Sequence, residues 1–251
     1  MSKKNNKTIS NANDLLYAQK LAKIDTFTFN DQVADVFPDM INRSVPSYQS
    51  ISEGIGKIAN MVCEDGAIIY DLGCSLGNVS LAISKSLQNK NVDIIGVDNS
   101  RAMIERCRHY ISNFSYGQKI KIVEGDLTCL DLLPNNLTVT NFTLQFVNPD
   151  ARQNVINTIF KNLKPNGAFI MSEKVVFEDN NLNELMIELH HDFKRENGYS
   201  DLEISQKRTA LESVMILDSV DTHLSRLRAA GFKQSQVWYQ HYNFVSILAI
   251  K

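Results

Sequence analysis

Apolar residues change spacing in a regular order along the chain. Ile51, Ile55, Ile58 and Val62 recur every three to four positions, the period of a helix with one buried face. Ala67-Ile68-Ile69-Tyr70-Asp71-Leu72 is a short, nearly continuous apolar run stopped by Gly73, which predicts a buried strand. Helical spacing resumes after Gly77 through Val79, Ala82, Ile83 and Leu87. Residues 92–97 predict a second strand ending at Asp98, and Ser100 is placed to cap a helix whose inward stripe is Met103, Ile104, Cys107 and Ile111. Residues 119–123 alternate as a third strand. Strands separated by helices imply a parallel sheet with right-handed crossovers.

The series continues with a strand over 137–142, a helix face of Val155, Ile156, Ile159, Phe160 and Leu163, and a strand over 167–175 after the turn Lys164-Pro165-Asn166-Gly167. Residues 180–215 depart from the alternation. They hold a helical stripe of Leu182, Leu185, Met186 and Leu189, an Asn197-Gly198 turn, and a capping box from Ser200 to Glu203, and together predict a helical insertion. A helix over 222–230 ends at Gly231. The strand-like runs 235–239 and 244–250 follow so closely on one another that they pair only as an antiparallel hairpin. The expectation is an α/β protein with a mostly parallel, seven-stranded sheet closed by that hairpin. This arrangement resembles the Rossmann-like fold of class I S-adenosyl-L-methionine (SAM)-dependent methyltransferases.

Composition narrows the partners. The 251 residues carry 26 Lys and Arg against 28 Asp and Glu, a formal charge of −2, with 43% hydrophobic residues, enough for a sizeable core. So even a balance argues against a broad grip on nucleic-acid phosphates, which needs many uncompensated cations. Cys63, Cys74, Cys107 and Cys129 stand far apart, with no zinc-site spacing, so neither a metal site nor a disulfide framework is expected. Residues 1–13 are polar and lack the apolar stretch of a secretory signal. No later run approaches the roughly 18 apolar residues of a membrane span, and the expected compartment is the cytoplasm.

The loop Gly73-Cys74-Ser75-Leu76-Gly77 leaves the first strand where open α/β sheets bind ligands. A dinucleotide site would need a second glycine at 75 and a third at 78; this chain has Ser75 and Asn78, so the loop suits a ligand without a pyrophosphate. Asp98 lies 25 residues after Gly73, at the range where a carboxylate accepts hydrogen bonds from ribose hydroxyls. Each feature alone has an ordinary reading, a turn or a helix cap. Together, and in register with Asp71 and Asp126, they point to a SAM-type site. No His or Lys is placed by sequence to activate Cys74 as a nucleophile, and the adjacent His190 and His191 point to different helix faces, which argues against a metal pair.

Further motifs carry a narrower resemblance: Asp31-Gln32-Val33-Ala34-Asp35-Val36-Phe37-Pro38-Asp39-Met40, then Arg43-Ser44-Val45-Pro46 and Tyr48, Val97-Asp98-Asn99-Ser100, Asn141-Phe142-Thr143-Leu144-Gln145-Phe146, and Ser205-Gln206-Lys207-Arg208. With the glycine loop, they make the chain resemble the carboxy-S-adenosyl-L-methionine (carboxy-SAM) synthase family from about Phe27 to the end. Residues 1–26 are expected to be a polar tail and 27–251 one SAM-binding domain. The resemblance implies that prephenate gives a carboxyl group to the SAM methyl carbon, forming carboxy-SAM, phenylpyruvate and water. Carboxy-SAM then serves a separate enzyme that modifies the wobble uridine of transfer RNA, with no direct nucleic-acid contact by this chain. It also implies a homodimer, with the helical insertion as the candidate interface.

Carried onto matching positions, the implied cofactor contacts are Tyr48, Gly73, Cys74, Ser75, Asp98, Asn99, Asp126, Leu127 and Asn141, with Arg208 on the added carboxylate. A guanidinium ~4 Å from a bare sulfonium would repel it by up to about 4 kcal/mol at an effective dielectric near 20, whereas a carboxylate on the methyl carbon can accept its paired hydrogen bonds. From the residues alone, Arg208 reads as the partner of Glu212; the Ser-Gln-Lys-Arg likeness favours the site role. Arg195 and Lys207 are candidates for the prephenate carboxylates, and no residue is assigned as a general base. Two other functions stay open: a conventional methyltransferase of a small molecule or RNA, and a SAM-binding protein without turnover.

Overall fold

The computed structural model describes residues 13–251. Seven strands form one sheet in the order β3-β2-β1-β4-β5-β7-β6. They are β1 (Ala67–Leu72), β2 (Val92–Asp98), β3 (Ile120–Glu124), β4 (Asn135–Asn141), β5 (Leu163–Lys174), β6 (Gln234–His241) and β7 (Phe244–Ile250). The first five run parallel, and β7 inserts antiparallel between β5 and the edge strand β6. The expected parallel sheet with its carboxyl-terminal hairpin is therefore present. The Lys164–Gly167 turn sits inside β5 as a bulge, with Asn135 opposite Leu163 and Leu137 already opposite Ala168.

The helices are α1 (Asp31–Ser44), α2 (Tyr48–Val62), α3 (Asn78–Ser86), α4 (Arg101–Ile111), α5 (Pro149–Asn162), α6 (Asn180–Glu196), α7 (Asp201–Leu211) and α8 (Val220–Ala230). One sheet face packs under Ile51 and Ile55 of α2, Ile83 of α3 and Ile104 of α4. The other packs under Val155, Ile156 and Ile159 of α5 and Leu227 of α8. This two-sided burial explains why the central strands read as continuous apolar runs. The insertion over 180–215 is α6 and α7, and its capping box is formed: Ser200 Oγ accepts from Glu203 N at 3.3 Å while Glu203 Oε2 accepts from Ser200 N at 2.8 Å.

Two features depart from the expectations. Helix α1 was not foreseen, because Pro38 lies in its interior and proline ordinarily breaks a helix by removing a donor. Here Asn30 caps the start by accepting from Val33 N, and Val33, Phe37 and Met40 bury one face, so the helix is held from outside. The polar-tail expectation for residues 1–26 also changes. Its first twelve residues lie outside the described residues, but the segment from 13 to 26 is docked rather than solvated. Asp14 is buried, Leu21 N donates to Gln206 Oε1 at 2.8 Å, and Gln206 Nε2 donates to the carbonyls of Tyr17 and Gln19. Leu16, Tyr17 and Ile24 pack with α1, Phe27 and Ala210 in a third apolar cluster that roofs the carboxyl ends of the strands.

Candidate functional site

The order in which strands are added reverses between β1 and β4, with β2 and β3 laid to one side and β4 and β5 to the other, so the parallel sheet opens a crevice at the carboxyl ends of those two strands. Gly73 and Cys74 bend across it by donating from their amides to the Val97 carbonyl at 2.8 and 2.9 Å. Ser75 N then donates to Asp98 Oδ2 and Ser100 N to Asp98 Oδ1, both at 2.8 Å. The carboxylate is thus fixed by two backbone donors, while each oxygen keeps acceptor capacity toward the cavity. Burial raises the Asp98 pKa, against the pull of those amides. Asp71, on β1 below, accepts from Ser80 N at 3.0 Å and Ser80 Oγ at 2.6 Å, and burial pushes it up to about 6.

Gly73 takes φ +78°, and a Cβ there would stand 2.3 Å from Thr143 Cγ2, so the loop can pass under Thr143 only as glycine. Ser75 and Phe142, which line the cavity, also have left-handed φ values of 50° and 59° without being glycine. Such strain is commonly concentrated where a surface is shaped for a ligand. The Tyr48 hydroxyl sits between the side-chain amides of Asn78 and Asn141, and burial raises its pKa well beyond the ordinary phenol value. Asn141 has neither amide atom in hydrogen-bonding geometry with any described residue, although both are buried. A ligand with its own donors and acceptors would satisfy them.

Phe29 closes the cavity as the hub of an aromatic wall. It meets Phe27 and Phe146 edge-on at 5.2 Å and Phe37 at 6.2 Å. The opposite wall is basic. Lys174 at the end of β5, His190 and Lys194 on α6, and Lys207 on α7 all face the space that Asp71 and Asp98 face from β1 and β2. The cavity therefore has an acidic side and a basic side within one largely apolar enclosure.

Of the residues expected at the site, Tyr48, Gly73, Cys74, Ser75, Asp98, Asn99, Leu127 and Asn141 line this cavity. Cys74 is a buried thiol whose pKa is raised by its hydrogen bond with Cys107 and by burial, which makes it inert rather than nucleophilic. Asp126 is exposed, with its carboxylate turned onto Thr128, whose amide and hydroxyl donate to Oδ1 at 2.8 and 2.7 Å and lower its pKa. Arg208 does not line the cavity of its own chain. Its side chain is 58% exposed and pairs with Glu212 at 3.5 Å, the pairing its sequence position on α7 had indicated. Arg195 is likewise outside, bound on the surface to Glu188, Asp192 and Asp201, whereas Lys207 does face the cavity.

Lys174, His190 and Lys194 were missed. Lys174 carried a usable signal, since it stands at the carboxyl end of a predicted strand of a parallel sheet, where ligands bind. His190 and Lys194 are four residues apart and so share a helix face, but nothing local reveals that this face turns inward. Among the described residues no group of three or more His, Cys, Asp or Glu could hold a metal ion. No described helix is long and apolar enough to cross a membrane.

Comparison with known proteins agrees with this architecture. A family model described as a methyltransferase domain matches residues 69–167. The fold resembles that of human N-acetylserotonin methyltransferase, solved in complex with SAM, at a TM-score of 0.59 and 16% identity, covering 88% of this chain and 59% of that one. Relatives named carboxy-S-adenosyl-L-methionine synthase are far nearer in sequence. The one from Cronobacter sakazakii is 48% identical and the one from Escherichia coli 47% identical over 238 residues, each match covering 95% of this chain and 96% of the relative. With that identity along almost its whole length, the chain belongs to the carboxy-S-adenosyl-L-methionine synthase family.

Proposed function

We propose that this chain is an enzyme that converts SAM and prephenate to carboxy-SAM, phenylpyruvate and water. The observation that carries the reading is the two-sided cavity, with Asp71 and Asp98 on one flank and buried lysines on the other. A methyl donor needs acceptors for its ribose hydroxyls and tolerates nearby negative charge, which Asp98 and Asp71 supply. A conventional methyltransferase has no use for a cluster of buried ammonium groups facing a sulfonium, since like charges repel. A dianionic second substrate makes that cluster favourable.

The residues divide the work accordingly. Asp98 accepts from the ribose, Asn141 and Tyr48 offer a buried amide and hydroxyl to polar groups of the donor, and Gly73, Cys74, Ser75, Asn99 and Leu127 shape its bed. Leu127 borders the site from the loop after β3, and the neighbouring Asp126 is assigned to the same edge of the donor, although its carboxylate is turned onto Thr128 here. When bound, SAM supplies an acidified methyl group as the carbon to be carboxylated, and the proton that this carbon loses goes to the hydroxide expelled as prephenate aromatises, leaving as water. The aromatic wall around Phe29 keeps water out, so a released one-carbon unit meets that carbon before it escapes. Arg208 stands outside its own cavity. Its contact with the added carboxylate is therefore assigned across a homodimer, through the α6–α7 insertion, which exposes Leu182, Leu185 and Leu202. The protein works in the cytoplasm, and its product passes to an enzyme that modifies the wobble uridine of transfer RNA.

The test is to incubate purified protein with SAM, prephenate and candidate methyl acceptors and to weigh the products. SAM heavier by one carbon dioxide, with phenylpyruvate formed, supports the reading. S-adenosylhomocysteine with a methylated acceptor identifies a methyltransferase instead, and SAM binding without turnover identifies a binding protein.

A further inference from the structure

Four basic side chains face the cavity, but two of them are already committed. Lys207 Nζ donates to Asp14 Oδ2 at 3.2 Å and to Ser44 Oγ at 3.0 Å. His190 Nε2 lies 2.8 Å from the Ser44 carbonyl and so carries the proton, which leaves the Nδ1 lone pair toward Lys174 Nζ at 3.4 Å. That contact steers the Lys174 amine and leaves its other hydrogens for the cavity. Lys194 is 7% exposed, and its side-chain amine makes no hydrogen bond or ion pair with any described residue. Its nearest charged groups are almost all of its own sign: Lys174 from β5, and Lys207 and Arg208 from α7. His191 beside it on α6 is electrostatically coupled to it as well. The one acid acting on it is Asp14, whose carboxylate also serves Lys207 and the Tyr199 hydroxyl.

A buried amine without an acceptor is costly, and Lys194, facing the same cavity as a second amine whose hydrogen-bond partner among the described residues is His190, makes this wall an anion site awaiting its anion. Resting on the carboxylation reading above, we propose that Lys174 and Lys194 together dock the carboxylates of the dicarboxylate that donates the carboxyl group. Two ammonium groups match two carboxylates, and a monocarboxylate product leaves one of them unmatched, which favours release after turnover. The arrangement also orders the site electrically. Cations on this wall oppose the sulfonium until a dianion lies between them, so donor and dianion bind more favourably together than apart. Burial and the surrounding cations hold the Lys194 amine well below the ordinary lysine range, and burial lowers Lys174 to about 8. Arrival of the dianion reverses that balance, and the pocket takes up protons as it binds.

The experiment uses the full chain with Lys194→Met, Lys174→Met and, as a polar replacement should the methionine variants fold poorly, Lys194→Gln. SAM affinity is measured by calorimetry and the KM for prephenate at saturating SAM. Prephenate is also titrated alone near pH 8 in two buffers of different ionisation heat. Loss of one charge-assisted contact raises the KM for prephenate by about 10- to 100-fold. SAM affinity stays the same or tightens, and proton uptake on prephenate binding is smaller in the Lys194 and Lys174 variants than in the wild-type chain. An unchanged KM and unchanged proton uptake in folded Lys194 and Lys174 variants overturn the docking assignment. If the wild-type chain forms no carboxy-SAM, the function itself is refuted, whereas wild-type product with indifferent lysine variants refutes only this inference.

Discussion

Asp14 and Lys207 lie 193 residues apart in sequence and meet as a buried ion pair, Oδ2 to Nζ at 3.2 Å, with side chains 1% and 6% exposed. The pair ties the segment before α1 to α7 at the edge of the cavity. Tyr199 donates its hydroxyl to the same carboxylate, and Arg43 stacks its guanidinium 3.8 Å from the Tyr199 ring centroid. Burial lowers the Lys207 pKa, and Asp14 works against that shift.

Removing Asp14 alone leaves an ammonium and a phenol buried without their shared acceptor. Asp14→Ala is expected to lower the unfolding free energy by about 3–5 kcal/mol, read from urea denaturation. Adding Lys207→Met should recover most of that loss, because the stranded charge is gone. If the two substitutions simply add, the residues are not energetically coupled.

Glu173 and Lys174 are neighbours on β5 and turn to different surroundings, with opposite consequences for pH. Burial pushes Glu173 up to about 8, although Leu144 N and Gln145 N donate to its two oxygens at 2.9 Å. Between its ordinary value near 4.5 and about 8, the folded state holds a proton that the unfolded state has lost. Its contribution to stability is therefore full at low pH and declines as pH rises through that window. Lys174 is lowered to about 8, so between about 8 and 10.5 the unfolded state holds the extra proton, and its contribution returns as pH rises. Together the two groups place a minimum in the ligand-free stability profile near pH 8. Lys174→Met should flatten the alkaline limb and stabilise the protein at neutral pH by up to about 3 kcal/mol. Glu173→Gln should flatten the acid limb, and an unchanged slope between pH 5 and about 8 in that variant would reject the assignment.

The sheet and the glycine loop were legible because their causes are local. Ala67–Leu72 is apolar on both faces since helices cover both, and Gly73 ends it because only glycine passes beneath Thr143. The acidic side of the cavity was legible for the same reason, as Asp98 terminates its own strand. The basic side was not. It is assembled from β5, α6 and α7, and the inward turn of His190 and Lys194 is set by contacts such as His190 with the Ser44 carbonyl, 146 residues away. Helix α1 escaped detection because Pro38 argues against a helix locally while a buried face holds it globally. Arg208 shows the converse. A family motif placed it at the site, while its position on α7, four residues before Glu212, described its surroundings in a single chain.

The Gly73 position offers a test of the loop that does not depend on any ligand. A Cβ there would lie 2.3 Å from Thr143 Cγ2, 2.4 Å from Oγ1 and 2.9 Å from Cβ, with φ at +78°. Gly73→Ala combines a steric clash with a left-handed backbone that alanine disfavours by about 1–2 kcal/mol. Adding Thr143→Ala relieves the contacts with Cγ2 and Oγ1 but not the backbone cost. Thermal unfolding should therefore show a drop for Gly73→Ala, partial recovery in the double variant, and incomplete return to wild type. Full recovery would mean that the backbone at Gly73 is not strained by a side chain.

Arg208 gives the sharpest test of how the site is completed. Its pair with Glu212 is 58% and 63% exposed, and surface pairs of this kind contribute little, so Arg208→Ala should change unfolding free energy by less than about 0.5 kcal/mol. If it reads the added carboxylate from its own chain, a movement must carry it inward past Lys207, which already occupies that wall beside Asp14. If it serves a second protomer, no such movement is needed. Mixing Arg208→Ala protein with Asp98→Ala protein separates the cases, because the first has an intact cavity without the arm and the second an arm with a broken cavity. Action across the dimer predicts recovery of about a quarter of wild-type activity after random exchange of subunits, since half the dimers are mixed and each holds one complete site. Action within one chain predicts no recovery at any mixing ratio, and that result would return Arg208 to its own cavity and require the α6–α7 segment to move during turnover.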